Sequence, residues 1–473
     1  MKSVEVATGR LLDGPSDTAG ARGSEVGSWV IASAAFLLVA FRQTYVIPAL
    51  PLSLSPARLL LFGGAALFII ACLLGHQSKY RLGVMAPVLA IYVISTATAY
   101  GIGMTREAIP IKTVDYYFVV EIMLVLSVLF YFNVIHSYVG LRRVIKGLVA
   151  GAFVSAVFAI LAHTTGVELA RVLRPPGLIE KGAILTGELV RGDVVRPQGS
   201  ADHPLELAAV LTITFPLAVG LAYSLRAAGE RWRAWAAVAA VILVGVAVSV
   251  SRSALIGLLA AYIVMATFWP IRRTLAVLGA GAGLATLVFV ANPALFQAYS
   301  STVGLGRADP SAQYRLAAAR YILSHFSMFG SFGQGGGADN YVFDDQYLYR
   351  LAETGVAGLL AYLILLGTTF ALALRAFLNA RDEANTQLPT GSSQLLLGLV
   401  ASLAAYATMN VVLDVGGFAQ IWTTMWILVA TSAVAWRISR KPHGRAERRA
   451  VGRRDGMGRD GMGIVNPTIS KAL

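Results

Sequence analysis

Between Trp29 and Trp436 the chain holds about a dozen apolar runs, most of them long enough to cross a lipid bilayer. A crossing takes about 20 mostly apolar residues. Only helices and closed barrels satisfy the backbone inside hydrocarbon. Barrel strands alternate in polarity, whereas these runs are continuous, so they read as helices. Composition agrees: 56% of residues are hydrophobic and 14% charged, against about 25% charged in a soluble domain. Mean hydropathy is +0.67. The expected fold is all-α: a polytopic transmembrane helical bundle of about 12 spans with a large, partly helical extracytoplasmic loop.

The spans are expected at 28–47, 57–75, 83–102, 114–133, 146–163, 204–223, 234–250, 254–270, 274–291, 355–376, 393–413 and 418–436. They divide the chain into a disordered cytoplasmic tail (1–27), five spans (28–163), an extracytoplasmic loop (164–203), and four spans (204–291). A larger extracytoplasmic loop (292–354), three spans (355–436) and a basic cytoplasmic tail (437–473) complete it. The first residues lack the order of a cleavable signal, namely a basic start, an apolar core and a small-residue cleavage site. The end of the chain, with its near-repeat Arg454–Gly458 and Arg459–Gly463, reads as a solvated low-complexity tail.

Basic residues set the orientation. Lys79 and Arg81, Arg142 and Arg143, Arg226 to Arg233, Arg272 and Arg273, and Arg375 and Arg381 fall at alternate short connections. Arg437, Arg440 and Lys441 follow the last span. Basic residues are retained on the cytoplasmic side, which puts both termini in the cytoplasm and both long loops outside. The net charge of +14 would suit nucleic acid in a soluble protein. Here the excess lies in the tail and short connections, so no nucleic-acid partner is expected. The lone Cys72 lies in an apolar run and has no internal disulfide partner.

Four constellations stand out. The first is Arg196-Pro197-Gln198-Gly199-Ser200-Ala201-Asp202-His203-Pro204. A histidine such as His203 has a reference pKa near neutrality and suits acid–base work; equally, Pro204 starts a helix that Asp202 and His203 cap. The second is Ser249 to Ser253, where Arg252 sits between two apolar runs on the outward side. Such a charge is costly unless paired or facing a cavity, or it snorkels to the interface. The third joins Tyr314 and Arg315 to the glycines Gly330 and Gly335-Gly336-Gly337. A guanidinium beside glycine N–H groups makes an anion cradle, or simply a surface arginine next to a hinge. The fourth is Asp344-Asp345-Gln346-Tyr347-Leu348, followed by Arg350 and Glu353-Thr354-Gly355. Paired carboxylates serve as base, metal ligand or helix cap. Asp115, Glu121 and Asp414 are further scarce polar groups near span ends. No cluster has zinc-ligand spacing and no phosphate-binding loop of the Walker type occurs, so no metal and no cofactor is expected.

In this order the constellations resemble the bacterial O-antigen ligase and O-antigen/exopolysaccharide polymerase family. The resemblance covers about residues 195–365 at motif level and rests on Arg196, Gly199, His203 and Pro204; Ser251 and Arg252; Arg315; Gly330 and Gly335; and Tyr347, Leu348, Glu353 and Gly355. Ligases of that family usually have histidine-asparagine before the Tyr-Leu segment. This chain has Asp344-Asp345, which favours a polymerase. The resemblance implies glycan transfer on the outer face of a bacterial cytoplasmic membrane. The donor is a glycan on undecaprenyl pyrophosphate, and the acceptor another lipid-linked unit. Membrane lipids and a chain-length regulator are the implied partners. Arg252 and Arg315, with Arg196, would hold the pyrophosphate; Asp344 would act as base with His203 in reserve; and Asp345, Tyr347, Gly335 and Gly336 would contact substrate. A ligase with a different acceptor and a secondary transporter or flippase are the competing readings.

Overall fold

A computed structural model describes residues 15–75, 83–105, 111–181, 190–191, 194–303, 310–326, 330–333, 335, 343–382 and 388–440. The described chain is helical almost throughout. The long elements are α1 (Pro15–Ala40), α2 (Pro56–Leu73), α3 (Met85–Met104), α4 (Ile111–Val134) and α5 (Tyr138–Thr165). A single turn, α6 (Leu169–Val172), precedes α7 (Pro204–Ala227), α8 (Arg233–Val248), α9 (Arg252–Phe268) and α10 (Ile271–Ala291). Then come α11 (Pro293–Val303), α12 (Pro310–Ser324), α13 (Gln346–Arg381), α14 (Ser392–Met409) and α15 (Ala419–Ser439). Among the described residues ten helices are long and apolar enough to cross a membrane, and two apolar ones, α8 and α9, are shorter. The protein is therefore a multi-pass membrane protein with an all-α bundle.

α7, α14 and α15 form the centre: 89%, 72% and 83% of their apolar windows are buried, against 6% for the outlying α10. Lipid is as apolar as leucine, so helices in a bilayer associate through close backbone approach and interhelical hydrogen bonds. Both devices are present. Gly147 and Gly151 of α5 lie against α1, where a Cβ would come within 2.3 Å of the Ala32 carbonyl and 2.6 Å of the Phe36 carbonyl. Gly220 of α7 faces Gly398 of α14, and a Cβ on Gly398 would sit 2.6 Å from the Pro216 carbonyl. Ser402 Oγ donates to the Ile213 carbonyl at 2.6 Å across the same seam.

The helices alternate in direction, so the starts of α2, α4, α7, α9, α13 and α15 share one end of the bundle with the 164–203 connection. The opposite end holds the start of α1 and the end of α15. There Ser24 donates to the Val134 carbonyl, and Arg437 donates to the carbonyls of Phe132 and Ile135. Two short antiparallel strand pairs tie the 164–203 connection down: β1 (Tyr45–Val46) with β2 (Ile179–Glu180), and β3 (Val190–Arg191) with β4 (Val194–Val195).

Four boundaries differ from the expected ones by more than a turn and a half: α5 begins at Tyr138 rather than 146, and the other three concern α1 and α13. α1 begins at Pro15, so residues 15–27 continue the first helix past its apolar part, and Arg143 pairs with Glu25 at 3.7 Å. That helix ends at Ala40, which leaves Arg42 in the connection to α2 rather than inside the span expected at 28–47. α13 begins at Gln346, nine residues before the expected 355. Its start is polar, and Gly355 (φ +66°, ψ −169°) interrupts its helical backbone. A Cβ there would meet Gly333 N at 2.4 Å, so glycine at both positions lets the 330–333 turn lie directly on the break.

Candidate functional site

At the end shared with the long connections, the start of α2, α3, α4, α13, α15 and the α14–α15 connection line a cavity of about 220 Å³. Its walls mix charge with aromatic rings: Arg58, Glu121, Arg350 and Glu353 alongside Tyr100, Tyr116, Tyr117, Phe118, Tyr349 and Trp422. Each wall has a local cause. Ser55 caps α2 by accepting from Arg58 N–H at 3.3 Å, and its hydroxyl donates to Gln43 Oε1 at 2.6 Å. This fixes Arg58 in the first turn. Asp345 caps α13, accepting from Tyr347 and Leu348 N–H at 2.9 and 3.0 Å. The next turns, at a spacing of three to four, then send Gln346, Tyr349, Arg350 and Glu353 into the cavity. Gln346 locks the far wall: its N–H donates to the Asn410 carbonyl at 2.8 Å, and its Oε1 accepts from Gly416 N–H.

Arg350 is the electrostatic centre. Its guanidinium lies 3.8 Å from Glu121 and 3.7 Å from Glu353, and 4.5 Å above the Trp422 ring. Glu121 also accepts from the Trp422 indole at 2.8 Å and from the Tyr92 hydroxyl. A buried guanidinium is tolerated here because two carboxylates and a π face replace its water. Asp414 lies behind this wall in the α14–α15 connection: its Oδ1 accepts at 3.3 Å from the N–H of Gly417, which lines the cavity. Burial raises its carboxyl from 3.8 to about 6 against the pull of glycine amides and Arg350. Burial likewise raises Asp345, opposed by the two amides it caps.

A second polar group anchors the 164–203 connection. Arg42 donates to Gln198 Oε1 at 3.2 Å and to the Ala201 carbonyl at 2.8 Å, and pairs with Asp202 at 3.2 Å and Glu180 at 3.4 Å. Glu206 accepts from Asp202 N–H at 2.9 Å and Gln420 N–H at 2.8 Å, joining α7 to α15. These groups bond chiefly to one another and act as a strut.

The residues singled out from sequence fall into three places. Arg315 and Asp344 meet at 3.9 Å, joining α12 to the start of α13. Arg196 donates through Nε to the Ser249 carbonyl at 3.0 Å, which holds the 194–200 segment on the turn that carries Arg252. Arg252 opens α9 directly after Ser251, whose hydroxyl lies 2.8 Å from that of Ser253. His203 caps α7 through Nδ1, accepting from Leu205 N–H at 3.1 Å, and its ring stacks on Phe418 at 5.6 Å. None of these lines the cavity. Asp345 acts as a helix cap, and the Tyr347 hydroxyl donates to the Ala407 carbonyl at 2.9 Å. Gly335 (φ +97°) donates its N–H to the Glu353 carbonyl at 2.8 Å, which bonds the glycine turn to the cavity wall. Gly336 lies outside the described residues.

Arg350 and Glu353 belonged to the fourth constellation and Glu121 and Asp414 were visible as scarce charges, but nothing in the spacing joined Glu121 or Asp414 to that pair. Arg58 carried a signal of its own: a basic residue at the end of a span expected to face outward, where the positive-inside rule disfavours it. Among the described residues no group of three or more His, Cys, Asp or Glu side chains is disposed to hold a metal ion. Comparison with known proteins returns no matching family model and no matching curated protein.

Proposed function

We propose that the protein is a polysaccharide polymerase-like glycosyltransferase of the bacterial cytoplasmic membrane. It joins undecaprenyl-pyrophosphate-linked repeat units on the outer face. The observation that carries this reading is the cavity: charged, walled with aromatic rings, and set at one end of an otherwise apolar bundle. Aromatic faces suit the C–H faces of sugar rings, and charged groups beside them suit hydroxyls. The acceptor unit occupies this cavity. The donor pyrophosphate lies against the arginines of the same end, Arg252 and Arg315, with Arg196 bracing the turn of Arg252. A guanidinium fork matches phosphate oxygens and stabilises charge as the sugar–oxygen bond breaks. The attacking hydroxyl must lose a proton. Asp414 is the group best suited, because its raised carboxyl titrates near working pH. Asp344 is the second choice, since its pairing with Arg315 makes it a weaker base.

The test is a membrane-fraction assay with lipid-linked repeat units. Arg252→Lys and Arg315→Lys should each lose about a hundredfold in chain growth at normal expression, the scale of losing one charge-stabilising donor. Wild-type rates in either variant would remove that residue from the site. A chelator should leave the rate unchanged, and loss of activity restored by magnesium would contradict an arginine-only scheme. Transfer to a different acceptor would make the protein a ligase, and vectorial uptake without bond formation a transporter.

A further inference from the structure

The cavity holds more hydrogen-bond donors than the protein satisfies. Three buried side-chain nitrogens in its lining have no partner: Arg58 Nε, Arg350 Nε and Gln346 Nε2. Buried donors are seldom left unmade, and several around one space point to a ligand that supplies acceptors. The charges differ as well. Arg350 has Glu121 and Glu353 beside it. Arg58 is 7% exposed; its one hydrogen-bonded side-chain partner is the Tyr116 hydroxyl, 3.2 Å from Nη1. Among the described residues no carboxylate lies within ion-pairing distance of it. A buried guanidinium without a counter-ion is costly, and an oxyanion in the cavity would supply the missing charge.

The walls say which oxyanion. A bare phosphate needs no apolar surface, yet Tyr100 stacks on Phe118 at 4.2 Å and Tyr116 and Tyr117 stand edge to face beside them. At about 220 Å³ the space falls below the roughly 300–1,000 Å³ of a drug-sized site, which suits one ring. We infer that the cavity is a subsite for an acidic sugar, with Arg58 gripping the carboxylate of a uronic acid residue and the aromatic walls taking the ring. This rests on the cavity being the acceptor's place and names the acceptor's chemical class.

The full chain in lipid nanodiscs provides the test, with tryptophan fluorescence as readout. Trp422 lines the cavity and donates its indole N–H to Glu121, so Trp422→Phe should abolish the response. Three probes are titrated: glucuronate, glucose and inorganic pyrophosphate. Glucuronate should give a saturable change, with glucose binding about tenfold or more weakly, the scale of one hydrogen bond to a charged group. Arg58→Gln should lose a similar factor for glucuronate only, and Arg58→Lys should fall between, keeping charge without the fork. Equal binding of glucose and glucuronate by the wild type would overturn the inference, and needs no variant to fold. Displacement of glucuronate by pyrophosphate would assign the oxyanion to the donor's leaving group and overturn it too. No response to any probe while chain growth persists would remove the acidic-sugar subsite and leave the transferase reading. Glucuronate binding without chain growth would do the reverse.

Discussion

Arg350 and Asp414 illustrate how much a single side chain depends on its surroundings. Arg350 keeps its charge inside the bundle because Glu121, Glu353 and Trp422 stand where water would otherwise be. Asp414 has mostly amides for company, so burial raises its carboxyl to about 6. A base works as the carboxylate, so chain growth should fall as pH drops through about 6. Asp414→Asn should remove most activity across the whole range. A full rate with an unchanged acid limb in that variant would return the role to Asp344. The same shift means the folded chain holds this proton more tightly than the unfolded chain. Its contribution to stability is thus complete below about 4 and lost as pH rises through about 6, a slope in melting temperature that Asp414→Asn should flatten. Reading the chain alone exposed these residues as rare charges but not as neighbours. Glu121 and Arg350 are separated by more than two hundred positions, and only the packing of α4 and α13 against α15 brings them together.

At the scale of elements, the spans were legible because lipid enforces them. Each long apolar run had to become a helix, and the polar residues between runs marked the connections. What escaped was any helix continuing into polar sequence. The start of α1 and the first turns of α13 carry charges that broke the apolar pattern without breaking the helix. The seam between α7 and α14 was also invisible, since glycines scattered through alanine-rich runs give no hint of which face they share. It is easy to test. Gly398→Leu would force a side chain into the Pro216 carbonyl, and overpacking of this kind costs about 1–3 kcal/mol or more. The variant should melt several degrees lower, whereas Gly367→Leu, with nothing within 4 Å of its Cβ, should melt like the parent. Equal melting temperatures would show that the two helices do not meet as described.

For the whole molecule, the alternation of helix direction gathers both long connections at one end and the chain ends at the other. The orientation expected relative to the membrane rests on charge. Arg142, Arg143, Arg226, Arg233, Arg272 and Arg273 all sit at the end that holds the start of α1, which the positive-inside rule assigns to the cytoplasm. Single cysteines introduced in a Cys72→Ala background at Val172 and Tyr314, both at the opposite end and the latter 47% exposed, should react with an impermeant maleimide in intact cells. Labelling that requires broken cells would invert the protein. The site itself was only half legible. The motif residues lie at the same end of the bundle as the cavity, but the cavity belongs largely to residues with no local motif. Its position is decided by the meeting of five helices and a connection from distant parts of the sequence. One consequence lies in the break at Gly355. The nine residues ahead of it, 346–354, form a separate helical piece that carries Gln346, Tyr349, Arg350, Glu353 and Thr354 together. Whatever turns that piece about its pivot shifts all five as a unit, so damage at the pivot would blunt recognition and chemistry alike instead of sparing one of them.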